Sequence, residues 1–222
     1  YHPLYMTLNI STPFAYYIGH GDLPDFDFTE IRKEKRITLA ESQTQAKAFA
    51  KESETIGLEK FHDKYYRILE SYTELRDLIT YNFNLFLDHT HGCANAKIST
   101  SWITYMTEGE RNKQHRHANC FYSGVIYFDE EYGEDSATLE LRNPISMLHE
   151  TIIPAYYQRE EGTNKTIDNI YVKPKTGNFV FFPSYILHGT DKHVGPPRKS
   201  LAFNFVLDTP VFAYDSTYNP KW

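Results

Sequence analysis

The amino-acid sequence predicts a mainly β protein, an antiparallel sandwich or barrel with a helical N-terminal portion packed on it. After residue 92 the chain contains six short segments that are rich in β-branched and aromatic residues. No helix-period segment of any length interrupts them, which argues against a parallel sheet with crossover helices. The six predicted strands are residues 97–106, 120–128, 137–141, 170–173, 179–182 and 200–207.

Two helices are predicted in the N-terminal portion, after an extended or irregular stretch over residues 1–36. Thr38 is a typical N-cap with Glu41 as its capping-box partner, and this helix is expected to run to about Lys51. A longer helix is predicted over residues 58–88, because its apolar residues recur at steps of three and four and form one stripe. We expect the stripe to pack against the sheet; its members are Phe61, Tyr65, Ile68, Leu69, Tyr72, Leu75, Ile79, Phe83, Phe86 and Leu87.

The length of 222 residues allows one sizeable core and is short for two full domains. We therefore predict a single domain over residues 1–222, with a helical support region at 38–91 and a β core at 97–214. The polar segment 155–169 is predicted to be a long loop of the kind that often forms a lid or a binding surface.

Composition restricts the functional classes. The 18 Tyr and 15 Phe residues favour an ordered, packed protein, and the formal net charge of −6 gives no electrostatic footprint for nucleic acid. Two cysteines, Cys93 and Cys120, do not make a disulfide framework. No apolar run reaches the length of a membrane span and no signal peptide is visible. These features predict a cytoplasmic protein with neither a membrane nor a nucleic acid as partner.

Three histidines form the candidate metal site. His115 and His117 would project from one face of an extended strand, since residues i and i+2 share a face, although such a pair alone is more often a polar strand surface. His188 ends a segment in which large apolar residues lead into Pro183, and a buried strand of this kind would bring it from the opposite side of a barrel. Three imidazoles suit Fe, Zn, Cu or Ni, and they leave coordination positions for water, substrate or O₂.

A candidate anion site follows ten residues after His188. Arg198 and Ser200 share one face if Ser200 opens a strand. A guanidinium binds a carboxylate through two parallel hydrogen bonds, and a hydroxyl adds a third donor. The alternative is a surface arginine paired with an acidic side chain; the three histidines favour the anion site.

Several short motifs occur in order within residues 102–205 and, taken together, are specific. They are His115-Arg-His117-Ala-Asn119, Ser123-Gly124-Val-Ile-Tyr127-Phe, Val172-Lys-Pro174 with Gly177, Phe181-Phe-Pro183-Ser, His188, and Arg198-Lys-Ser200-Leu-Ala-Phe-Asn204. In these motifs the chain resembles the 2-oxoglutarate/Fe(II)-dependent oxygenase superfamily, and within it a prolyl-hydroxylase-like group common in marine bacteria and their phages. The fold that this resemblance implies is the double-stranded β-helix, or jelly roll.

The resemblance implies roles for individual residues. His115 and His188 would bind Fe(II), and Arg198, with Ser200 beside it, would hold the far carboxylate of the cosubstrate 2-oxoglutarate. The implied activity uses O₂, converts 2-oxoglutarate to succinate and CO₂, and oxidises a C–H bond of a primary substrate. That substrate is expected to be a peptide or protein side chain or a small metabolite.

Aromatic residues are also expected near this site. Prolyl-hydroxylase-like members use tyrosine hydroxyls on neighbouring strands, and Tyr105 and Tyr127 occupy similar places, with plain core packing as the alternative for both. Phe179, Phe181 and Phe203, or their neighbours, are expected to line a dry apolar barrel that excludes water from the reaction.

The sequence departs from the superfamily at one ligand position. The usual motif is His-x-Asp or His-x-Glu, whereas this chain has His117, which would leave an Fe(II) site one charge unit more positive. Either His117 is the third ligand, which its same-face geometry favours, or water or a carboxylate such as Asp191 completes the shell. The substitution also makes another metal easier to accept.

Two other functions fit parts of the sequence. One is a three-histidine, cupin-type metal dioxygenase that does not use 2-oxoglutarate, because Gly109 and His115 match the opening of the first cupin motif. Its expected glutamate is absent from residues 118–123, and a cupin has no need of the arginine–serine pair. The residues that match the second cupin motif are Gly177, Pro183 and His188.

The other function is a non-catalytic β-sandwich binding module, which would suit the aromatic strands and predicts no tight metal binding.

Overall fold

The structure is a computed structural model that describes residues 16–23, 25–35, 67–92, 95–144 and 169–208. The strands in these ranges are β1 Gly19–Asp22, β2 Ala96–Met106, β3 Tyr122–Tyr127, β4 Leu139–Arg142, β5 Asn169–Val172, β6 Asn178–Pro183, β7 His188–Thr190 and β8 Arg198–Leu207. The helical elements are α1 Thr29–Arg32, a 3-10 turn Ile68–Ser71 and α2 Thr73–His91. None of the described helices is long and apolar enough to cross a membrane.

Some predictions fall outside the described residues. They are the helix from Thr38 to Lys51, the first part of the helix predicted over residues 58–88, and residues 155–168 of the predicted loop. The single domain over residues 1–222, with its helical and β regions, stays a prediction.

The strands form two facing antiparallel sheets, the arrangement of a double-stranded β-helix. The larger sheet has the order β1-β6-β3-β8-β2, and the smaller has the order β5-β4-β7. All six predicted strands are present, with ends displaced by no more than two residues, so the prediction of a mainly β, antiparallel fold is confirmed. β1 and β7 were not predicted as strands, because GHGD and HGT contain glycine and few of the β-branched and aromatic residues that marked the other strands.

Alternation along β8 separates two packing environments. Leu201, Phe203 and Phe205 are buried in the same hydrophobic cluster as the apolar side of α2. Ser200 and Ala202, which alternate with them, line the space between the two sheets. One strand of the larger sheet therefore supports the helix with one face and the interior cavity with the other.

Helix α2 covers the outer face of the larger sheet. Leu75, Ile79, Phe83 and Leu87 recur every four residues and are buried along one stripe, which confirms this part of the predicted stripe. The ring of Phe83 stacks on that of Phe205, with ring centroids 3.7 Å apart. The helix ends at Gly92, whose φ of 64° is the left-handed C-cap conformation that glycine adopts most easily. Burial of this stripe fixes the sheet on the side away from the cavity.

The prediction of one continuous helix over residues 58–88 is wrong at residues 67–72. Arg67 forms an isolated parallel bridge with Ser101 of β2, and the backbone N–H of Leu69 donates to Ser101 Oγ at 3.0 Å. Tyr72 then has φ −128° and ψ 63°, which is outside the helical region, and α2 begins at Thr73. Tertiary hydrogen bonds to β2 therefore override the helical periodicity of this segment.

The three phenylalanines named as the expected barrel lining lie on the other face of the sheet, and their neighbour Phe182 lines the cavity. Phe179, Phe181 and Phe203 belong to the cluster under α2, whereas Phe182 and Ala202 line the cavity. Side chains alternate along a strand, so a difference of one residue in register exchanges the two faces. A second, smaller apolar cluster fills the space between the sheets and consists of Leu139, Leu141, Val180, Phe182 and Ile186.

Candidate active site

A cavity of about 130 Å³ lies between the two sheets and contains all three candidate histidines and Arg198 in its walls. Strands of both sheets contribute to it, so the distances between its side chains depend on how the two sheets face one another. The structure thus brings together residues that are 83 positions apart in the sequence, from His115 to Arg198.

His115 and His117 lie between β2 and β3, outside the regular strands in which the sequence placed them. His115 forms an isolated antiparallel bridge with His188: the two residues exchange backbone N–H···O bonds of 2.9 and 3.0 Å. The backbone N–H of His117 donates to the carbonyl of Ser184 at 3.1 Å. The segment therefore runs antiparallel beside β7, and its extended backbone still directs both imidazoles to the same side.

Gly189 allows this segment to approach β7. A Cβ atom at Gly189 would lie 2.8 Å from the carbonyl oxygen of Asn112 and 3.0 Å from the backbone nitrogen of Gln114. Real side chains essentially never come this close to backbone, so only glycine fits beside His188. The glycine thereby sets the spacing between the backbones that carry His188 and His115.

The three imidazoles converge on one point. The Nε2 atoms of His115 and His117 are 3.1 Å apart, and one ring nitrogen from each of the three histidines lies within 4.8 Å of the others. Two nitrogens bound at about 2.1 Å to one ion, at a right angle, would be about 3.0 Å apart. The ring centroid of His188 lies 4.4 Å from that of His115 and 4.9 Å from that of His117. This geometry fits three ligands on one face of a single metal ion.

Each imidazole is held by its Nδ1 atom. Nδ1 of His115 lies 2.7 Å from the carbonyl of Lys113, and Nδ1 of His188 lies 2.8 Å from the carbonyl of Ile186. A carbonyl only accepts, so Nδ1 carries the hydrogen and Nε2 has the lone pair that a metal needs. Nδ1 of His117 faces the side chain of Asn204 instead, and Oδ1 of that amide is 2.7 Å away.

Burial keeps two of these imidazoles neutral. Removal from water lowers the pKa of His188 to about 4, and the neighbouring His115 and His117 add to this effect. Burial also lowers the pKa of His117. The neutral imidazole is the form that binds a metal, so the site needs no deprotonation of these two ligands near neutral pH.

Asp191, the alternative third ligand, lies elsewhere. Its Oδ1 accepts a hydrogen bond of 2.7 Å from the backbone N–H of Thr138, and its side chain is exposed. Within the described part of the chain, the only group of three or more His, Cys, Asp or Glu residues with metal-binding spacing is His115, His117 and His188. The coordinates therefore favour His117 over Asp191 as the third ligand.

Arg198 is a buried cation that forms no ion pair with an acidic side chain in the described part of the chain. It is 4% exposed, its Nη2 donates to the carbonyl of Ala137 at 3.0 Å, and its Nη1 lies 3.4 Å from Ser200 Oγ. Its Nε has no hydrogen-bond partner, and no described carboxylate forms an ion pair with it. A buried charge without a counter-ion is costly, so this guanidinium is suited to a bound anion.

Hydroxyl-bearing side chains surround Arg198. Ser200 pairs with Thr104 across β2 and β8 and with Tyr127 across β3 and β8, and all three line the cavity. The Tyr127 ring lies 5.8 Å from the Arg198 guanidinium carbon. Burial raises the pKa of Tyr127 to about 12, so its phenol stays protonated and can donate a hydrogen bond.

Tyr105 is not among the residues that line the cavity. Trp102 and Thr104, two residues apart on β2, both face the cavity. Tyr105 follows Thr104 directly and therefore lies on the opposite face of the strand. The expectation that it contacts 2-oxoglutarate therefore does not fit the coordinates. Sequence reasoning missed Trp102 and Thr104, although the alternation along β2 would have identified them once the facing of Ser200 was known.

A search of curated proteins finds no significant match for the sequence. The family described as "Putative 2OG-Fe(II) oxygenase" matches residues 100–204. Among solved structures, SnoN, described as a non-heme alpha ketoglutarate dependent epimerase from nogalamycin biosynthesis, is 10% identical with a TM-score of 0.50; the alignment covers 87% of this chain and 77% of SnoN. At this identity the likeness to SnoN shows the fold alone.

Two other solved structures are similar. A Pseudomonas putida prolyl-4-hydroxylase is 16% identical with a TM-score of 0.43, and the alignment covers 75% of this chain and 80% of that protein. An oxidoreductase of the 2OG-Fe(II) oxygenase family from Burkholderia pseudomallei is 16% identical with a TM-score of 0.43. In that alignment 61% of this chain is covered, and it spans little more than half, 57%, of the Burkholderia protein.

The family match spans the part of the chain that builds the cavity. It contains the three converging histidines, Arg198 and Ser200, and both sheets of the fold contribute strands to it. The match therefore likens this part of the chain, 105 of the 222 residues, to the family described as "Putative 2OG-Fe(II) oxygenase".

Proposed function

We propose that this protein is a non-haem oxygenase in which His115, His117 and His188 hold Fe(II) and Arg198, with Ser200, holds the far carboxylate of 2-oxoglutarate. The observation that carries the proposal is the convergence on one cavity of three imidazoles and a buried guanidinium that forms no ion pair among the described residues. Three imidazoles suit a metal ion, and a buried guanidinium suits a carboxylate.

The residues present fit the metal. All three candidate ligands are imidazoles with neighbouring hydrogen-bond partners at Nδ1, which orients Nε2 toward the ion. Three protein ligands on one face leave positions free for a bidentate cosubstrate and for O₂. Bound iron would supply the activation of O₂ that no amino-acid side chain can supply.

Charge explains why a neutral ligand is tolerated at position 117. With three neutral imidazoles the ion keeps its full double charge, and Arg198 adds a further positive charge to the same cavity. A dianion such as 2-oxoglutarate is attracted to both ends of this arrangement, most strongly where water is excluded. The apolar side chains of Val125, Leu139 and Phe182 line the same cavity and exclude water.

The primary substrate is proposed to be a peptide or protein side chain or a small metabolite. Trp102 is placed to contact it, because its ring is 5.6 Å from the ring of His117 and it is only partly buried. The cupin-type alternative would use the same histidines but has no use for a buried arginine with hydroxyl neighbours. The cavity therefore favours the 2-oxoglutarate-dependent activity.

The direct test measures succinate released from 2-oxoglutarate by the full chain with Fe(II) and ascorbate. A parallel test that needs no primary substrate measures thermal stability with Mn(II), with and without 2-oxoglutarate. A bound ligand raises the melting temperature by mass action, by an amount that grows with its concentration relative to Kd. We expect succinate release and a metal-dependent rise in the melting temperature. The absence of both results would contradict the proposed function.

A further inference from the structure

A chain of hydrogen-bonded side chains contacts Nδ1 of His117, and one of its members, Ser123, also lines the cavity. Asn204 Oδ1 is 2.7 Å from His117 Nδ1 and 2.8 Å from Ser123 Oγ. Ser123 Oγ is also 2.8 Å from Ser184 Oγ, and the thiol of Cys120 donates to Ser184 at 3.1 Å. Ser123 and Ser184 are each 1% exposed, so these bonds do not compete with bulk water.

Asn204 fixes the direction of this chain. Its Nδ2 donates to Thr100 Oγ1 at 2.9 Å, and its Oδ1 faces Ser123 and His117. An amide oxygen only accepts, so Nδ1 of His117 must carry a hydrogen and Nε2 must have the lone pair. The reversed amide would offer an N–H group to Nδ1, and the ring hydrogen would then occupy Nε2, where a metal could not bind.

The sheet register places Asn204 for this role. On β8 it is paired with Thr100 of β2 on one side and with Ser123 of β3 on the other. Three polar side chains therefore lie at one level across three adjacent strands. This position is defined by the regular part of the fold rather than by the irregular segment that carries His117.

His117 differs from the other two histidines in what holds it. His115 and His188 each bond through Nδ1 to the carbonyl of the residue two positions earlier, which is backbone and independent of side-chain identity. Among the described residues, the hydrogen-bond partners of His117 Nδ1 are both side chains, those of Asn204 and Ser123. Ser123 can donate or accept, so only Asn204 dictates which nitrogen carries the hydrogen.

We propose that Asn204 is the positioning residue that makes His117 a metal ligand. A carboxylate at position 117 would need no partner such as Asn204, because both of its oxygens have lone pairs. An imidazole binds through one nitrogen only and requires an acceptor behind the other. The inference rests on the proposed function, in which the three histidines hold the metal.

The test compares Co(II) affinity of the full-length wild type with that of Asn204→Leu and Asn204→Asp. Removing a partner behind a ligating histidine typically weakens metal affinity about 10- to 100-fold, and we expect this for Asn204→Leu. Asn204→Asp keeps an acceptor facing Nδ1 and is expected to retain Co(II) binding. The matched control is Asn84→Leu, since Asn84 is also a half-buried asparagine bonded to β2, through the backbone of Ala96, and should leave Co(II) affinity unchanged.

A second readout reports the imidazole itself. In the Co(II)-loaded wild type, each ligating ring should give one exchangeable, paramagnetically shifted Nδ1–H proton signal. Asn204→Leu should broaden or remove one of the three signals, and Asn204→Asp should restore it. In a His117→Ala background, Asn204→Leu should cause no further loss of affinity, because the asparagine acts through that ring.

The outcomes separate the two proposals. Wild type that binds no Co(II) would contradict the proposed function. Wild type that binds Co(II), together with a folded Asn204→Leu variant that binds equally well and shows three ring signals, would overturn only the role of Asn204. Should Asn204→Leu fail to fold, Asn204→Ser, whose side chain is too short to reach His117, replaces it with the same expected loss and the same contradicting result.

Discussion

The two ends of the cavity are built in different ways. At the metal end, His115 and His117 lie in a connection between strands, and His188 is the first residue of the short strand β7. At the anion end, Arg198 and Ser200 lie on the long strand β8, flanked by regular neighbours in β2 and β3. The metal end depends on close approach of irregular backbone, whereas the anion end depends on sheet register.

The two ends also differ in charge. At the metal end, burial lowers the pKa of His117 and of His188, so these two imidazoles are neutral. At the anion end, Arg198 is a permanent buried cation. A dication and a dianion complement these two environments in one cavity. This division predicts that substitutions at one end change metal binding and that substitutions at the other change cosubstrate binding.

Removal of a ligand at the metal end should have the largest effect. His188→Ala leaves two imidazoles for the ion, and we expect loss of metal binding and of succinate production below detection, with the fold retained. Metal titration and a 2-oxoglutarate turnover assay measure this. His89→Ala, on the exposed end of α2, is the control and should be unaffected. Full decarboxylation by His188→Ala would remove this residue from the site.

Removal of the Arg198 guanidinium should weaken the binding of 2-oxoglutarate and leave metal binding unchanged. Loss of one partner of a buried, hydrogen-bonded charge pair costs about 2–5 kcal/mol, or roughly 30- to 4000-fold in affinity. Arg198→Ala should weaken 2-oxoglutarate binding by this order, while metal affinity without cosubstrate stays near that of the wild type. Calorimetric titration of each ligand separates the two, with Arg76→Ala on the surface of α2 as control. Unchanged 2-oxoglutarate affinity would contradict the assignment.

Crowding the backbone at the metal end should have a smaller effect. In Gly189→Ala the new methyl group meets the backbone of Asn112 and Gln114, and the two segments must separate. Overpacking typically destabilises the folded arrangement by about 1–3 kcal/mol. Because this strain is relieved by moving His188 away from His115, we expect metal affinity to fall by the equivalent of roughly 5- to 150-fold. Gly133→Ala, where a Cβ would be 3.7 Å from its nearest neighbour, is the matched control. Equal metal affinity in the two variants would show that close approach at Gly189 is not needed.

The smallest predicted effect distinguishes the two tyrosines. Tyr127→Phe removes only the hydroxyl group of a side chain that lines the cavity beside Arg198, and we expect 2-oxoglutarate affinity to fall about 2- to 10-fold, the usual range for one hydrogen bond. Tyr105→Phe, on the opposite face of β2, should leave that affinity unchanged. The reverse pattern would mean that the register between β2 and β8 differs from the one described.

Much of this architecture could be predicted from local patterns. Strands β2 and β8 are rich in β-branched and aromatic residues, and the stripe of α2 follows a period of four residues, so both signals come from the segment itself. His115 and His117 were predicted to share a face, and an extended backbone directs them together even outside a regular strand. These features need no knowledge of distant contacts.

Other features depend on tertiary contacts that no local pattern encodes. The interruption before α2 results from the hydrogen bond between Leu69 and Ser101, which are 32 residues apart, and from the bridge between Arg67 and Ser101. The inward face of Phe182, rather than Phe181, depends on a register that a single residue would reverse. The role proposed for Asn204 requires three strands to be aligned at one level, which only the assembled sheet shows.

The most direct measurement of the central claim is a crystal structure of the full chain grown without oxygen with Mn(II) and 2-oxoglutarate. We expect one ion bonded to Nε2 of His115, His117 and His188, with the distal carboxylate of 2-oxoglutarate hydrogen-bonded to the guanidinium of Arg198. An ion bound away from these imidazoles, or a cosubstrate whose carboxylates both lie away from Arg198, would contradict it.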